Sequence, residues 1–232
     1  MDPRHLFADE RPKGFCVHCG GASETRDHCP SEVLLDEPLP PQLAVIEACG
    51  ECNQGFSKDG LYVACLIESI VCGSAEPGGV SRPKIKSALE DNPALASQLR
   101  ASQHTDDDGN LIWNVKTDRV RNVFLKLARG HVAYELTLPQ LGEPDQFEYA
   151  PITLLSEEQR SGFESPGQRL AIWPEIGSRA FIRASKAFGD VAGSGAWIVV
   201  QPGRYRYLVD QSKGTLVQIV LSEYLVCRIA WD

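Results

Sequence analysis

Two cysteine pairs, Cys16-x-x-Cys19 and Cys49-x-x-Cys52, carry the strongest chemical signal in the chain. A CxxC turn brings two thiolates to one ion, and two such turns complete a closed tetrahedral S4 site of the kind that holds structural zinc. His18 lies inside the first turn and reads as a bystander, because four thiolates already fill the site. The alternatives are chance pairing or a redox dithiol at Cys49-Gly-Glu-Cys52, although no thioredoxin-like strand–helix unit surrounds the latter. The 29 residues between the pairs exceed the gap of a compact zinc ribbon, so something folds between them. That interval contains Asp27-His28-Cys29-Pro30, and Asn53 directly follows Cys52. An imidazole can deprotonate water near neutral pH. A carboxylate and a side-chain carbonyl are oxygen donors for a hard divalent cation. These are the groups that hydrolysis of a phosphodiester needs.

The order CxxC, Asp-His with Pro nearby, then CxxC-Asn resembles the HNH endonucleases, in their zinc-knuckle ββα-metal branch. The resemblance covers residues 14–62, about a quarter of the chain. It implies a treble-clef-like hairpin and helix around two metal sites. Cys16, Cys19, Cys49 and Cys52 would hold structural Zn²⁺. Asp27 and Asn53 would bind a catalytic Mg²⁺ or another divalent cation, with His28 as general base. Neighbouring strand residues point to opposite faces, so Asp27 and His28 diverge unless the strand bends or ends there. The sequence departs from the family after Asn53: the final His is absent, and Lys58 stands five residues on. Asp59 is a further candidate ligand, and Glu32, four residues after His28, a candidate ligand or orienter of it.

These groups have to be positioned by a chain of 232 residues with net charge -8, eight cysteines and 43% hydrophobic residues. That is one domain or two small ones, and ordinary apolar content excludes collagen, coiled coil and wholesale disorder. The longest apolar stretch, 61–72, is broken by Glu68 and Ser69 and falls short of the roughly 20 residues of a membrane span. The first 14 residues show no apolar signal region, so the expectation is a cytoplasmic, reducing setting and no membrane partner. Residues 1–75 hold 5 Lys/Arg against 12 Asp/Glu, and seven of the eight cysteines precede residue 73. The Gly/Pro/Ser-rich stretch 73–83 reads as a connection. The expected organisation is α+β: a zinc module at 1–75, then an α+β module at 76–232 ending in an antiparallel sheet.

Residues 53–72 are apolar on several sides, which predicts a buried helix covered by the second module. Helices are also expected over 84–103 and 118–134, the latter with Asp118 as N-cap. A short strand is expected at 111–115, and four at 197–200, 204–209, 215–221 and 224–231. Val120, Val123, Phe124, Leu127 and His131 share one face of the 118–134 helix, and Arg119, Lys126 and Arg129 a flank. That flank could meet phosphates or be ordinary solvated surface. Alternation of Arg204 and Arg206 with Tyr205 and Tyr207 could make a stacking surface, or a half-buried hairpin. Cys29, Cys65, Cys72 and Cys227 read as core thiols.

Two functions follow. The first is an HNH endonuclease acting on nucleic acid, with DNA the first expectation. The second is a catalytically inactive zinc-bound treble-clef adaptor or regulator. Asp27, His28 and Asn53 standing together favour the first. The acidic charge and the missing final His favour the second.

Overall fold

The computed structural model describes residues 13–41, 43–165, 178–180, 197–211 and 214–232. Strand β1 (Thr25–Cys29) pairs antiparallel with β2 (Ala44–Ala48), and helix α1 (Gly50–Cys72) follows at once. Cys49 caps α1, its Sγ accepting from the Cys52 amide at 3.4 Å. Gly73 ends the helix at φ 68°, a left-handed conformation that costs glycine little. The residues from Tyr62 to Ser69 are buried all round, as the apolar reading of this segment required.

The helix expected over 84–103 is two helices, α2 (Pro83–Asp91) and α3 (Pro93–Ser102). Pro93 has no amide hydrogen to continue α2, and the Asn92 side chain instead accepts from Leu95 N and caps α3. A small hairpin follows, β3 (Gln103–Thr105) with β4 (Leu111–Trp113), shorter than the strand expected there. Helix α4 (Thr117–Leu136) starts one residue before Asp118, with Lys116 in the capping position and Asp118 in the first turn.

Beyond α4 lie β5 (Gln146–Pro151) and α5 (Glu157–Glu164), neither foreseen from the sequence pattern. The C-terminal strands are β6 (Ile198–Gln201), β7 (Tyr205–Asp210), β8 (Thr215–Leu221) and β9 (Leu225–Trp231). With β5 they form a five-stranded antiparallel sheet in the order β5-β9-β8-β7-β6. Alternate residues separate its faces. Val217, Ile219, Leu221, Cys227 and Ile229 join the main core with α4, while Val220 and Val226 pack with Phe163 in a smaller cluster. Ser212 and Lys213, part of an expected turn, lie outside the described residues.

The main core runs across the connection at residue 73, joining Cys29 and Ile46 to α1, α4 and the sheet. Helix α4 lies against the β1–β2 hairpin at Gly130. A Cβ there would stand 2.7 Å from Cys29 Sγ and 3.0 Å from Ile46 Cδ1, so the approach needs glycine. The next residue, His131, is fully buried, with Nε2 2.7 Å from the Tyr205 hydroxyl and its ring stacked on Tyr207 at 3.6 Å. No helix among the described residues is long and apolar enough to cross a membrane.

Candidate metal centre and the hairpin beside it

The first CxxC sits in a tight turn closed by Cys16 N to Gly21 O at 2.6 Å and Gly20 N to Cys16 O at 2.8 Å, with Gly20 at φ 77°. Val17 N reaches Glu47 O on β2, which fixes this turn beside the second pair at the start of α1. The sulfurs of Cys16, Cys19, Cys49 and Cys52 lie within 4.8 Å of one another, and Cys19 Sγ is 3.8 Å from Cys49 Sγ. A tetrahedral ion with ~2.3 Å bonds to sulfur sets its ligands ~3.8 Å apart, so this cluster can hold a metal ion such as zinc. Burial pushes the Cys16 thiol up, but backbone hydrogen bonds at Cys49, His18 and Cys19 outweigh it and leave it at about 7, closer to the thiolate a metal needs.

Strand β1 keeps its register through Asp27↔Ile46 and His28↔Val45, so it neither bends nor ends between the two residues. Asp27 therefore faces inward and is buried, while the His28 side chain faces out and is 45% exposed. His28 Nδ1 is 3.0 Å from Glu32 Oε1. An Nδ1–H donated to that carboxylate leaves the lone pair on Nε2. Of the two roles open to Glu32, the geometry matches the orienter. Arg26 shares the outward face with His28, 69% exposed and only loosely paired with Glu47 at 3.9 Å. Its alternation with His28 was the available signal, and sequence reasoning passed over it.

Asp27 meets a different set of groups. Lys126 Nζ, on α4, is 2.8 Å from its Oδ2 and also donates to Ser31 Oγ at 2.9 Å. His18 Nε2 is 3.7 Å from the same oxygen, and the His18 ring packs edge-on against Phe56 at 5.2 Å. Burial raises the Asp27 carboxyl, but His18 and Lys126 overcome it and hold Asp27 below the usual carboxylate range. Burial holds the His18 imidazole below its usual range, against the pull of Asp27. His18 is not grouped with the four sulfurs, as its bystander reading has it, and lies instead beside Asp27 on the inner side of β1.

Asn53 donates from Nδ2 to Thr25 Oγ1 at 3.2 Å and to the Arg26 carbonyl at 3.3 Å, tying the start of α1 to β1. Asp59 is committed to Arg119 Nε at 2.6 Å and Asn122 Nδ2 at 3.1 Å, which leaves it no role as a ligand. Among the described residues, the four cysteines are the one group of three or more His, Cys, Asp or Glu placed to hold an ion. Asp27 is paired with an ammonium, and the His18 imidazole 3.7 Å away is its one neighbouring ligand type, short of a group of three. The residues as they stand do not fit a divalent ion there.

The expected phosphate flank also needs correction. Lys126 is 6% exposed and lies within a continuous buried run, 123–128. Arg119 is held by Asp59 and the Lys58 carbonyl, over the Tyr62 ring. Arg129 donates to the carbonyls of His18, Leu141 and Gly142. All three cations hold the fold together instead of facing solvent. The half-buried reading of the C-terminal hairpin is the better one: Tyr205 and Tyr207 are buried, Arg204 pairs with Asp36, and Arg206 with Glu164 and Glu223.

The chain matches no protein-family model, no curated protein and no solved structure.

Proposed function

We propose that this protein is a phosphodiester hydrolase acting on nucleic acid, DNA first, through a zinc-bound ββα unit of the HNH type. The observation that carries the reading is the pairing of His28 with Glu32 on the open face of β1, beside a β1–β2–α1 hairpin closed by four cysteines. In this reading the S4 cluster holds Zn²⁺ and fixes the first CxxC turn to the start of α1, while Cys29, Ile46 and α1 join the main core. The treble-clef description of residues 13–72 and a cytoplasmic setting belong to the same proposal.

The chain's own residues suit part of the chemistry. Glu32 fixes the His28 tautomer, so Nε2 can take a proton from water as its oxygen bonds to phosphorus. The P–O bond to the leaving oxygen breaks, and that alkoxide takes a proton from solvent. Arg26, on the same face, can meet the phosphate charge. Purified protein incubated with plasmid and single-stranded DNA in Mg²⁺, Mn²⁺ or Ni²⁺ should cut, and His28→Ala should not. No cleavage by the wild type in any of these ions would remove the reading.

A second reading, an inactive zinc-bound adaptor or regulator, is favoured by one specific contact: Asp27 is already neutralised by Lys126. A wild type that binds nucleic acid or a protein and leaves both uncut would support it.

A further inference from the structure

Lys126 sits where the resemblance implies a metal. Its ammonium is enclosed by Asp27 Oδ2 at 2.8 Å, Ser31 Oγ at 2.9 Å and the Phe56 ring at 5.5 Å. Phe56 lies one turn after Asn53 on α1, so the ammonium occupies the angle between β1 and the start of α1. Its side chain is 7% exposed and that of Asp27 8%. A lysine this deep needs a counter-charge, and Asp27 is its ion-pair partner. The pair is neutral as it stands. A divalent ion added to it would leave a buried net double positive charge, the one carboxylate being already matched by the ammonium, an arrangement that burial strongly opposes.

We propose that the Lys126 ammonium is the resident cation of the Asp27 site, and that α4 must withdraw it before a divalent ion can bind there. This rests on the nuclease reading under the proposed function, with Asp27 as the metal ligand that the resemblance implies. Helix α4 thereby acts as a lock that the second half of the chain places on the first. Lysine at this position discriminates against hard divalent ions by charge. The four thiolates are separate from it and hold their ion with Lys126 in place.

The test is Mn²⁺ binding by zinc-loaded full-length protein, followed by electron paramagnetic resonance and by broadening of the His18 ring protons. Without nucleic acid, with α4 in place, the wild type should show no saturable Mn²⁺ site and no broadening. Lys126→Met should gain one site at least tenfold tighter, lost again when Asp27→Asn is added. Lys126→Gln keeps a donor for Ser31 and Asp27, and should gain the site in the same way if the methionine variant does not fold. A wild type that binds Mn²⁺ as tightly as the variants overturns the proposal, as do folded variants that bind no better than the wild type. Absence of broadening in the wild type, together with its gain in a folded Lys126 variant, attributes the exclusion to the ammonium. Cleavage measured on the same samples is a separate readout. A variant that binds Mn²⁺ and cuts nothing leaves the lock standing and removes the nuclease.

Discussion

His28 and Glu32 differ in what each loses when replaced. His28→Ala removes the proposed base and leaves Asp27, Asn53 and the cysteines in place, so cleavage should fall by about 10²–10⁴-fold with zinc content unchanged. Glu32→Gln keeps a hydrogen-bond acceptor but loses the charge that favours one tautomer, so its loss should be smaller than that of His28→Ala. Equal rates for His28→Ala and wild type would end the base assignment. Cys49 has two duties, as a sulfur of the cluster and as the cap of α1. Protein purified without added metal should contain about one zinc per chain. Cys49→Ser should lose it and unfold the hairpin, because binding and folding free energy are shared in such sites. Retained stability without zinc, measured by circular dichroism and metal analysis, would show that the cluster is not what holds the hairpin.

At the scale of elements, the crossing of α4 over the hairpin turns on Gly130. Gly130→Ala gains up to about 1 kcal/mol of helix propensity. It also drives a methyl into Cys29 Sγ and Ile46 Cδ1, an overpacking that costs about 1–3 kcal/mol. The net should be destabilising in urea denaturation. Gly162→Ala in α5, where an added Cβ meets nothing within 4 Å, should be neutral or stabilising. The same crossing explains what could be read in the sequence and what could not. The cysteine pairs, the buried helix expected over 53–72 and observed over 50–72, and β7 to β9 follow from local spacing and alternation, and all three are present. Lys126 was misplaced because helical phase gives a side chain's direction but not the element that will cover it. Only the approach of α4 to β1 makes that flank an interior. The break between α2 and α3 is legible at Pro93, which has no amide hydrogen to continue a helix. The regular pairing of β1 through Asp27 and His28 decides the site, and depends on a partner strand some twenty residues away.

At the scale of the molecule, the loop between β1 and β2 is tied to the rest of the chain at Asp36. Its carboxylate accepts from Arg82 Nε at 2.6 Å and from Arg204 in the turn between β6 and β7, and its backbone exchanges two hydrogen bonds with the Gln201 side chain. Arg82 is 3% exposed and also donates to the carbonyls of Val33 and Leu35, while buried Glu68 takes the Arg82 amide. Burial raises the Asp36 carboxyl, but Arg82 and Arg204 outweigh it and leave it below the usual range. A carboxyl lowered by folding adds stability that is complete above its unfolded value, about 3.9, and is lost as pH falls through the lower folded value. Asp36→Asn should therefore cost about 2 kcal/mol at pH 7, the scale of a hydrogen bond to a charged group. The difference from wild type should shrink steadily below about pH 4 and vanish once the native carboxylate is protonated. Asp27 is shifted the same way, so a carboxylate component of acid unfolding should remain in Asp36→Asn. Thermal melts of both proteins from pH 7 down to the acid limit read this directly. A penalty that stays constant with pH would show that Asp36 acts through packing and its backbone contacts, and not through its charge.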